Sequence, residues 1–396
     1  MFKIMDVAVQ YGIFAYIVIM FFTKGEGIKN ILLYGSFILW LFSLRWRRLT
    51  DLWKEPIVVL FLIYVSACFL SVFTSVDPFF SLNAMRGVFL KGLVLFPVLS
   101  TSFNSEGKLK GLAIAFTFSV AILILAGYYS YFNKHIIEFK PDITFLHLWH
   151  NQFARYINSS LPFVFVIFIF LRRRSFKILL GILIILSILG LILSTSRGGY
   201  AALVSMTIIW LLFLTRGRKI DLKRQSVYFL CFLVIVSTLM LVTSPAVKQR
   251  LITRESIKQR LEVWIPAIEA IKSRPLFGWG FGPKMIRREE PYLHTDYRPP
   301  KRGAHNTFLM IAFTQGLVGL ISYLSLLVYG AISCWRNARA RDTRLFKSYV
   351  LIATLSVIVG NYLIHSLFEL VSFTGLSIVL GIAVASKNIK SEDGEY

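Results

Sequence analysis

Charge is scarce in this chain of 396 residues: Asp, Glu, Lys and Arg together make up 16% of it. A soluble domain usually carries about a quarter, and the apolar share here is 56%, so an ordinary soluble globular protein is excluded. Cysteine is rarer still. Cys68, Cys231 and Cys334 all lie in or beside apolar blocks, which rules against a disulfide framework and makes them packing residues. Acidic residues number 20 against 44 basic ones. The outer loops contain no Asp-x-Asp or Glu-x-Asp, and His147, His150 and His294 lack ligand spacing, so neither a metal nor another cofactor is expected. Met1 to Phe22 lacks a strongly basic start and a small-residue cleavage site, so its apolar block reads as a spanning helix rather than a cleaved signal. A nucleophile elbow is also missing.

What the chain does have is apolar blocks of about 17 to 22 residues, the length that crosses a ~30 Å hydrocarbon core at 1.5 Å per residue. Twelve are expected, near 7–23, 29–44, 56–74, 84–100, 111–131, 157–171, 177–193, 198–214, 227–243, 305–334, 348–367 and 370–386. The fold class is therefore an all-α integral membrane protein of about twelve transmembrane helices. It divides into residues 1–243 with helices one to nine, a basic loop at 244–304, and residues 305–396 with the last three helices and a short tail.

Alternate connections hold the clusters Arg45-Arg47-Arg48-Lys54, Arg172-Arg173-Arg174-Lys177, Arg216-Arg218-Lys219-Lys223-Arg224 and Arg336-Arg339-Arg341-Arg344-Lys347. The short connections between them carry few basic residues. Basic loops resist translocation, so both termini are expected in the cytoplasm. Most of the formal charge of +24 is then topology, and no nucleic-acid partner is implied. Loop 244–304 breaks that pattern, with thirteen Lys or Arg against six Asp or Glu on the outer side. An anionic ligand or anionic lipid headgroups would explain the excess. Within the loop, Ser256 to Ser273 has the spacing of an amphipathic helix, with Leu261, Trp264, Ile265, Ile268 and Ile271 on one face and Pro275 ending it. Such a helix lies on the membrane surface or over the bundle. The Gly278–Pro283 cluster that follows reads as a turn.

Ionisable residues at membrane depth are costly unless paired or hydrated, and so mark functional sites. Four places stand out, each at the outer end of a span. Arg197 lies in the turn Ser194-Thr195-Ser196-Arg197-Gly198-Gly199. Arg260 sits on the loop helix. His305 opens the tenth span, where it is placed to exchange protons. Asn361, His365 and Glu369 follow at i, i+4 and i+8. Snorkelling, structural ion pairs, helix capping and interhelical hydrogen bonds are the competing structural explanations. Two guanidiniums and an imidazole suit displacement of a phosphate leaving group by an alcohol, because guanidinium binds phosphate oxygens bidentately.

These residues resemble bacterial O-antigen ligases, of the O-antigen ligase and polymerase superfamily. His305-Asn306, nine residues and then Gly316-Leu317-Val318-Gly319 resembles the His-[Asn/Ser/Pro]-x9-Gly-x-x-Gly motif. Ser196-Arg197-Gly198 resembles the Ser-Arg-Gly turn, and Arg260-Leu261-Glu262-Val263-Trp264 with Pro275 and Gly278-Trp279-Gly280 resembles the loop signature. Asn151-Gln152-Phe153-Ala154 is similar to a weaker element. The resemblance implies a metal-independent glycosyltransferase of the bacterial inner membrane with a periplasmic active site. It would move a glycan from undecaprenyl pyrophosphate to a sugar hydroxyl of the lipid A–core oligosaccharide. Arg197 and Arg260 would bind the pyrophosphate and His305 would be the general base or would orient the acceptor. Asn151, Asn306, His365 and Glu369 would line the substrate site, and membrane lipids would surround the protein. Gly316 and Gly319 are expected to serve close helix packing.

O-antigen polymerases and protein O-oligosaccharyltransferases share that donor and fold. Polymerases tend to have two large outer loops with Arg-x10-Gly motifs, whereas the loop 132–156 is short and no arginine in 244–304 has glycine eleven positions on. A glycan-lipid flippase or other transporter is the alternative of another class. It predicts internal repeats and ionisable residues on a path from both sides, while the candidates here cluster at one face.

Overall fold

A computed structural model describes residues 2–43, 45–134, 139–214, 255–293, 295–300, 303–339 and 346–389. The ninth expected span at 227–243, the start of the long loop, Cys231 and His294 lie outside the described residues.

The architecture is helical almost throughout. The helices are α1 (Phe2–Ile19), α2 (Glu26–Phe42), α3 (Pro56–Phe73), α4 (Pro78–Ser102), α5 (Glu106–Lys134), α6 (His150–Phe170), α7 (Arg174–Leu193), α8 (Arg197–Leu214), α9 (Glu255–Ser273), α10 (Thr307–Arg339), α11 (Phe346–Val357) and α12 (Phe373–Lys387). Eleven of the twelve expected spans coincide with a helix. Among the described residues seven helical segments are long and apolar enough to cross a membrane: α3, α5, α6, α7, α8, α10 and α11 with its continuation to Leu367. An eighth, α4, is bent by 44°. This is a multi-pass membrane protein.

Local chemistry starts and stops these helices. Proline occupies the first turn of α3 and of α4, where its missing N–H would have no partner anyway. Asp77 caps α4 by accepting the Phe80 amide at 2.9 Å. Between α5 and α6 a two-stranded antiparallel hairpin pairs β1 (Asp142–Ile143) with β2 (Leu146–His147). The core runs through α4 against α12, α3 against α10, and α6 against α5 and α11. On α7 the side chains of Ile178, Leu179, Ile182 and Ile185 stay exposed, as expected where lipid rather than protein covers a helix.

Two departures from regular helix shape the site. Past Val357, α11 widens into a π-helical stretch (Ile358–Ile364) and tightens into a 3-10 turn (His365–Leu367). The expected i, i+4, i+8 face therefore does not persist, because a π turn holds more residues than an α turn. Asn361 instead faces α6, donating to Ser159 Oγ at 2.6 Å, and Glu369 lies beyond the helical turn.

The second departure is in α10, which breaks at Gly316 with φ 68°. The loop after α9 runs across that break: Leu317 donates to Pro275 O at 2.7 Å and Val318 to Leu276 O at 3.2 Å, while Trp279 and Gly280 donate to Phe313 O and Thr314 O at 3.0 Å each. A Cβ at Gly278 would lie 2.6 Å from the Gln315 amide nitrogen, so the loop glycine admits this close approach. The Gly278–Gly282 cluster is a turn, with φ of 70°, 123° and 121° at its three glycines. Gly316 thus serves a helix break stitched to the loop, rather than helix–helix packing alone.

Candidate functional site

The site gathers where α6, α8, α9 and α10 begin or dock around the segment after α11. Helix α9 has two apolar faces. Val263, Ala267 and Ala270 are buried against the protein, whereas Leu261, Ile265 and Ile268 remain exposed. Small side chains on the inner face let α9 sit close, and Arg260 shares that face because it precedes Val263 by three residues. Two indoles fasten the helix. Trp264 Nε1 donates to Ala304 O at 2.7 Å and Trp279 Nε1 to Ala270 O at 2.7 Å. The first of these bonds ends one residue before His305, so Arg260 and His305 are held in register.

His305 has φ 46°, a left-handed conformation that few residues other than glycine adopt. Its Nδ1 lies 3.1 and 3.3 Å from the two carboxylate oxygens of Glu369. The imidazole is half exposed while the Glu369 side chain is 15% exposed. Asn306 acts as the helix cap: its Oδ1 accepts the Leu309 amide at 3.0 Å, and its carbonyl accepts Met310 N at 3.1 Å.

Glu369 is the hub. Besides His305 it accepts Asn151 Nδ2 at 2.9 Å and the Leu370 amide at 3.1 Å. Its own carbonyl accepts Thr307 Oγ1 at 2.8 Å, and Arg155 Nη1 donates to the neighbouring Leu370 carbonyl at 2.5 Å. Burial pushes the Glu369 carboxyl up, but the His305 hydrogen bond and charge, the Leu370 amide and the Arg155 guanidinium together hold it down near about 2. The carboxylate is ionised at neutral pH, as an orienting partner for an imidazole requires.

Arg260 donates weakly to Phe368 O at 3.4 Å, and its guanidinium carbon lies 5.6 Å from the centroid of the Phe368 ring. Burial lowers its pKa, the nearby Arg197 cation lowers it further, and Glu369 opposes both. Two guanidiniums therefore share one neighbourhood, a like-charge arrangement that an anion would relieve. Arg197 opens α8 at the positive end of the helix dipole. The turn before it is tight, with Thr195 at φ 56° and the Gly199 amide donating to Ser196 Oγ at 3.2 Å. Gly198 follows because no side chain fits: a Cβ there would lie 2.7 Å from His365 Cδ2 and 2.9 Å from Phe368 Cβ. His365 itself is fully buried, and among the described residues neither ring nitrogen has a hydrogen-bond partner.

The sequence candidates thus meet around residues 365–369, with His305 and Asn151 on Glu369, Arg260 on Phe368, and Arg197 electrostatically joined to Arg260. Asn306 is occupied in capping. The sequence did not single out Arg155. Its position in the first turns of α6, just after Asn151-Gln152-Phe153-Ala154, was the signal available. Among the described residues no group of three or more His, Cys, Asp or Glu side chains is arranged to hold a metal ion.

Residues 182–324, which include Arg197, Arg260 and His305, match the family model described as O-Antigen ligase. The chain is also 23% identical over 339 residues to the O-antigen ligase of Salmonella typhimurium strain LT2, covering 80% of each chain. Together these similarities support the O-antigen ligase superfamily, the one its motifs resemble.

Proposed function

We propose, with the O-antigen ligase superfamily as the premise, that this chain transfers a glycan from undecaprenyl pyrophosphate to a sugar hydroxyl of the lipid A–core oligosaccharide at the periplasmic face of the inner membrane. The observation that carries the reading is the His305–Glu369 pair beside two clustered guanidiniums. Glu369 engages Nδ1 of His305, which leaves Nε2 to take the proton of the acceptor hydroxyl. That oxygen attacks the anomeric carbon, the bond from this carbon to the phosphate oxygen breaks, and undecaprenyl pyrophosphate departs with the electron pair. Arg197 and Arg260 bind the pyrophosphate and offset the negative charge that grows on it. A single displacement inverts the anomeric centre. Glu369 orients the base in this scheme, and Asn151 holds Glu369. The exposed apolar face of α9 rests on the bilayer surface.

Deleting the gene and restoring it tests the assignment by gel analysis of lipopolysaccharide. Loss of the ladder with accumulation of lipid-linked glycan, reversed on restoration, is the expected result. A product with one repeat unit would indicate a polymerase, and absence of donor at the periplasmic face would indicate a transporter.

A further inference from the structure

The hairpin between α5 and α6 presents a face that the transfer scheme does not use. From Phe145 to Trp149 burial alternates residue by residue. Leu146 and Leu148 are buried, whereas Phe145, His147 and Trp149 are exposed, as extended backbone with a period of two dictates. Two aromatic rings and an imidazole therefore share one outer surface. Trp149 is 60% exposed, and the centroids of its ring and the His147 ring lie 6.4 Å apart. The rim is polar. His147 Nδ1 meets Asp142 Oδ1 at 2.5 Å across the hairpin. The Lys134 ammonium lies 3.5 Å from Asp142 Oδ2, and that of Lys140 lies 5.0 Å from the centroid of the Trp149 ring. The backbone behind this face is held on three sides. Thr23, in the turn between α1 and α2, donates its amide to Phe145 O at 3.1 Å and accepts the His147 amide on Oγ1 at 3.1 Å. Ser130 Oγ of α5 accepts the Asp142 amide at 2.8 Å, and Leu148 donates to Pro141 O at 3.1 Å.

We propose that this face is a glycan-binding platform, on which a sugar ring of the donor glycan or of the acceptor oligosaccharide stacks against Trp149 while its hydroxyls meet His147 and Asp142. A pyranose has one side of C–H groups, which suits the electron-rich face of an indole, and a rim of hydroxyls. The Asp142 carboxylate accepts from hydroxyls, and with Nδ1 on Asp142 the His147 ring keeps Nε2 for another. Exposed apolar groups rimmed by polar ones mark binding surfaces. A bilayer interface also gathers tryptophan, but an imidazole paired with a carboxylate in the middle of the face favours a hydrated, hydroxyl-rich ligand. Position favours it as well. Trp149 stands at the start of α6, and Asn151, in the first turn of that helix, donates to Glu369, so a sugar chain laid over the platform leads toward His305. The class of ligand rests on the transfer reading, whereas the binding test below needs no turnover.

Full-length protein in nanodiscs is titrated with two lipid-free glycans, the core oligosaccharide and the O-polysaccharide released from lipopolysaccharide, and binding is read by saturation-transfer NMR. The expected result is binding of at least one of them. Its affinity should fall about ten-fold in Trp149→Ala, the scale of one lost aromatic contact, and recover in Trp149→Tyr, which restores a stacking ring. His147→Ala should weaken binding about three- to ten-fold through one lost hydrogen bond. Trp53→Ala, which removes an equally exposed indole at the far end of α2, should bind as the wild type does. Binding of the core oligosaccharide assigns the platform to the acceptor, and binding of the O-polysaccharide assigns it to the donor. Failure of the wild type to bind either glycan overturns the proposal. So does equal binding by wild type and folded Trp149→Ala, which would leave the indole a bilayer anchor. The transfer reading fails separately, on an unchanged lipopolysaccharide ladder after gene deletion.

Discussion

Replacing Glu369 by Gln isolates the orienting carboxylate with little change in volume. The two contacts to His305 Nδ1, at 3.1 and 3.3 Å, become contacts to a neutral amide with one acceptor and one donor. Asn151 also points a donor at this group, at 2.9 Å, so the single amide oxygen either accepts from both neighbours or leaves the amide nitrogen facing one of them. If the amide nitrogen turns to His305, the imidazole is driven to the tautomer protonated at Nε2, which cannot act as a base. An imidazolium and a carboxylate about 4 Å apart interact by about 4 kcal/mol at an effective dielectric of 20. Because His305 is half exposed, screening reduces this to about 2–4 kcal/mol. The expected loss is roughly 30- to 1,000-fold in kcat, with KM for the donor little changed. Purified protein, lipid-linked glycan and core-bearing lipid A, with product read on gels, supply the assay. A folded Glu369→Gln enzyme with wild-type kcat would refute the orienting role.

Arg197→Ala and Arg260→Ala should each reduce transfer by at least about 100-fold, the scale of losing one preorganised partner of developing charge, and Arg260→Lys should recover only part of it because ammonium lacks the bidentate fork; full activity in either alanine variant counts against pyrophosphate binding there. Gly198→Ala should destabilise by about 1–3 kcal/mol through the contact its Cβ makes with His365 and Phe368, which thermal unfolding measures. Acid should also separate the groups. The Glu369 carboxyl is held from 4.5 to about 2 in the folded state, so its stabilisation is present above about pH 4.5 and is lost as pH falls toward 2. That contribution is about 3 kcal/mol at neutral pH, and Glu369→Gln should flatten this part of the stability profile.

The helical blocks were readable because an apolar block long enough to cross a bilayer has few other uses: helices fall on eleven of the expected twelve blocks, and among the described residues seven of them, or eight with the bent α4, are long and apolar enough to span. Arg197, Arg260 and His305 could be singled out because each is an ionisable residue within a recognisable short motif, Arg197 and His305 at helix starts and Arg260 on α9. What sequence spacing could not deliver is anything that depends on irregular backbone. The π turn at Ile358–Ile364 separates Asn361 from Glu369, so a face drawn at i, i+4, i+8 dissolves, and Glu369 becomes the partner of a residue 64 positions away. Asn306 reads equally well as a ligand or a cap until the Leu309 amide is seen to point at it. Of the apolar face counted on α9, Leu261, Ile265 and Ile268 are left exposed while Trp264 and Ile271 pack against the protein, because the innermost face is built from alanines and a valine that a search for large side chains passes over. Arg155 was invisible for a similar reason. A lone arginine near a helix start resembles any snorkelling residue until its guanidinium is found on the carbonyl next to Glu369.

The most direct measurement is single-turnover transfer by His305→Ala, with binding of the lipid-linked glycan measured alongside. The account predicts donor binding close to that of the wild type and transfer reduced by at least about 100-fold, the contribution of a positioned base. Transfer at the wild-type rate by a folded His305→Ala protein would contradict it.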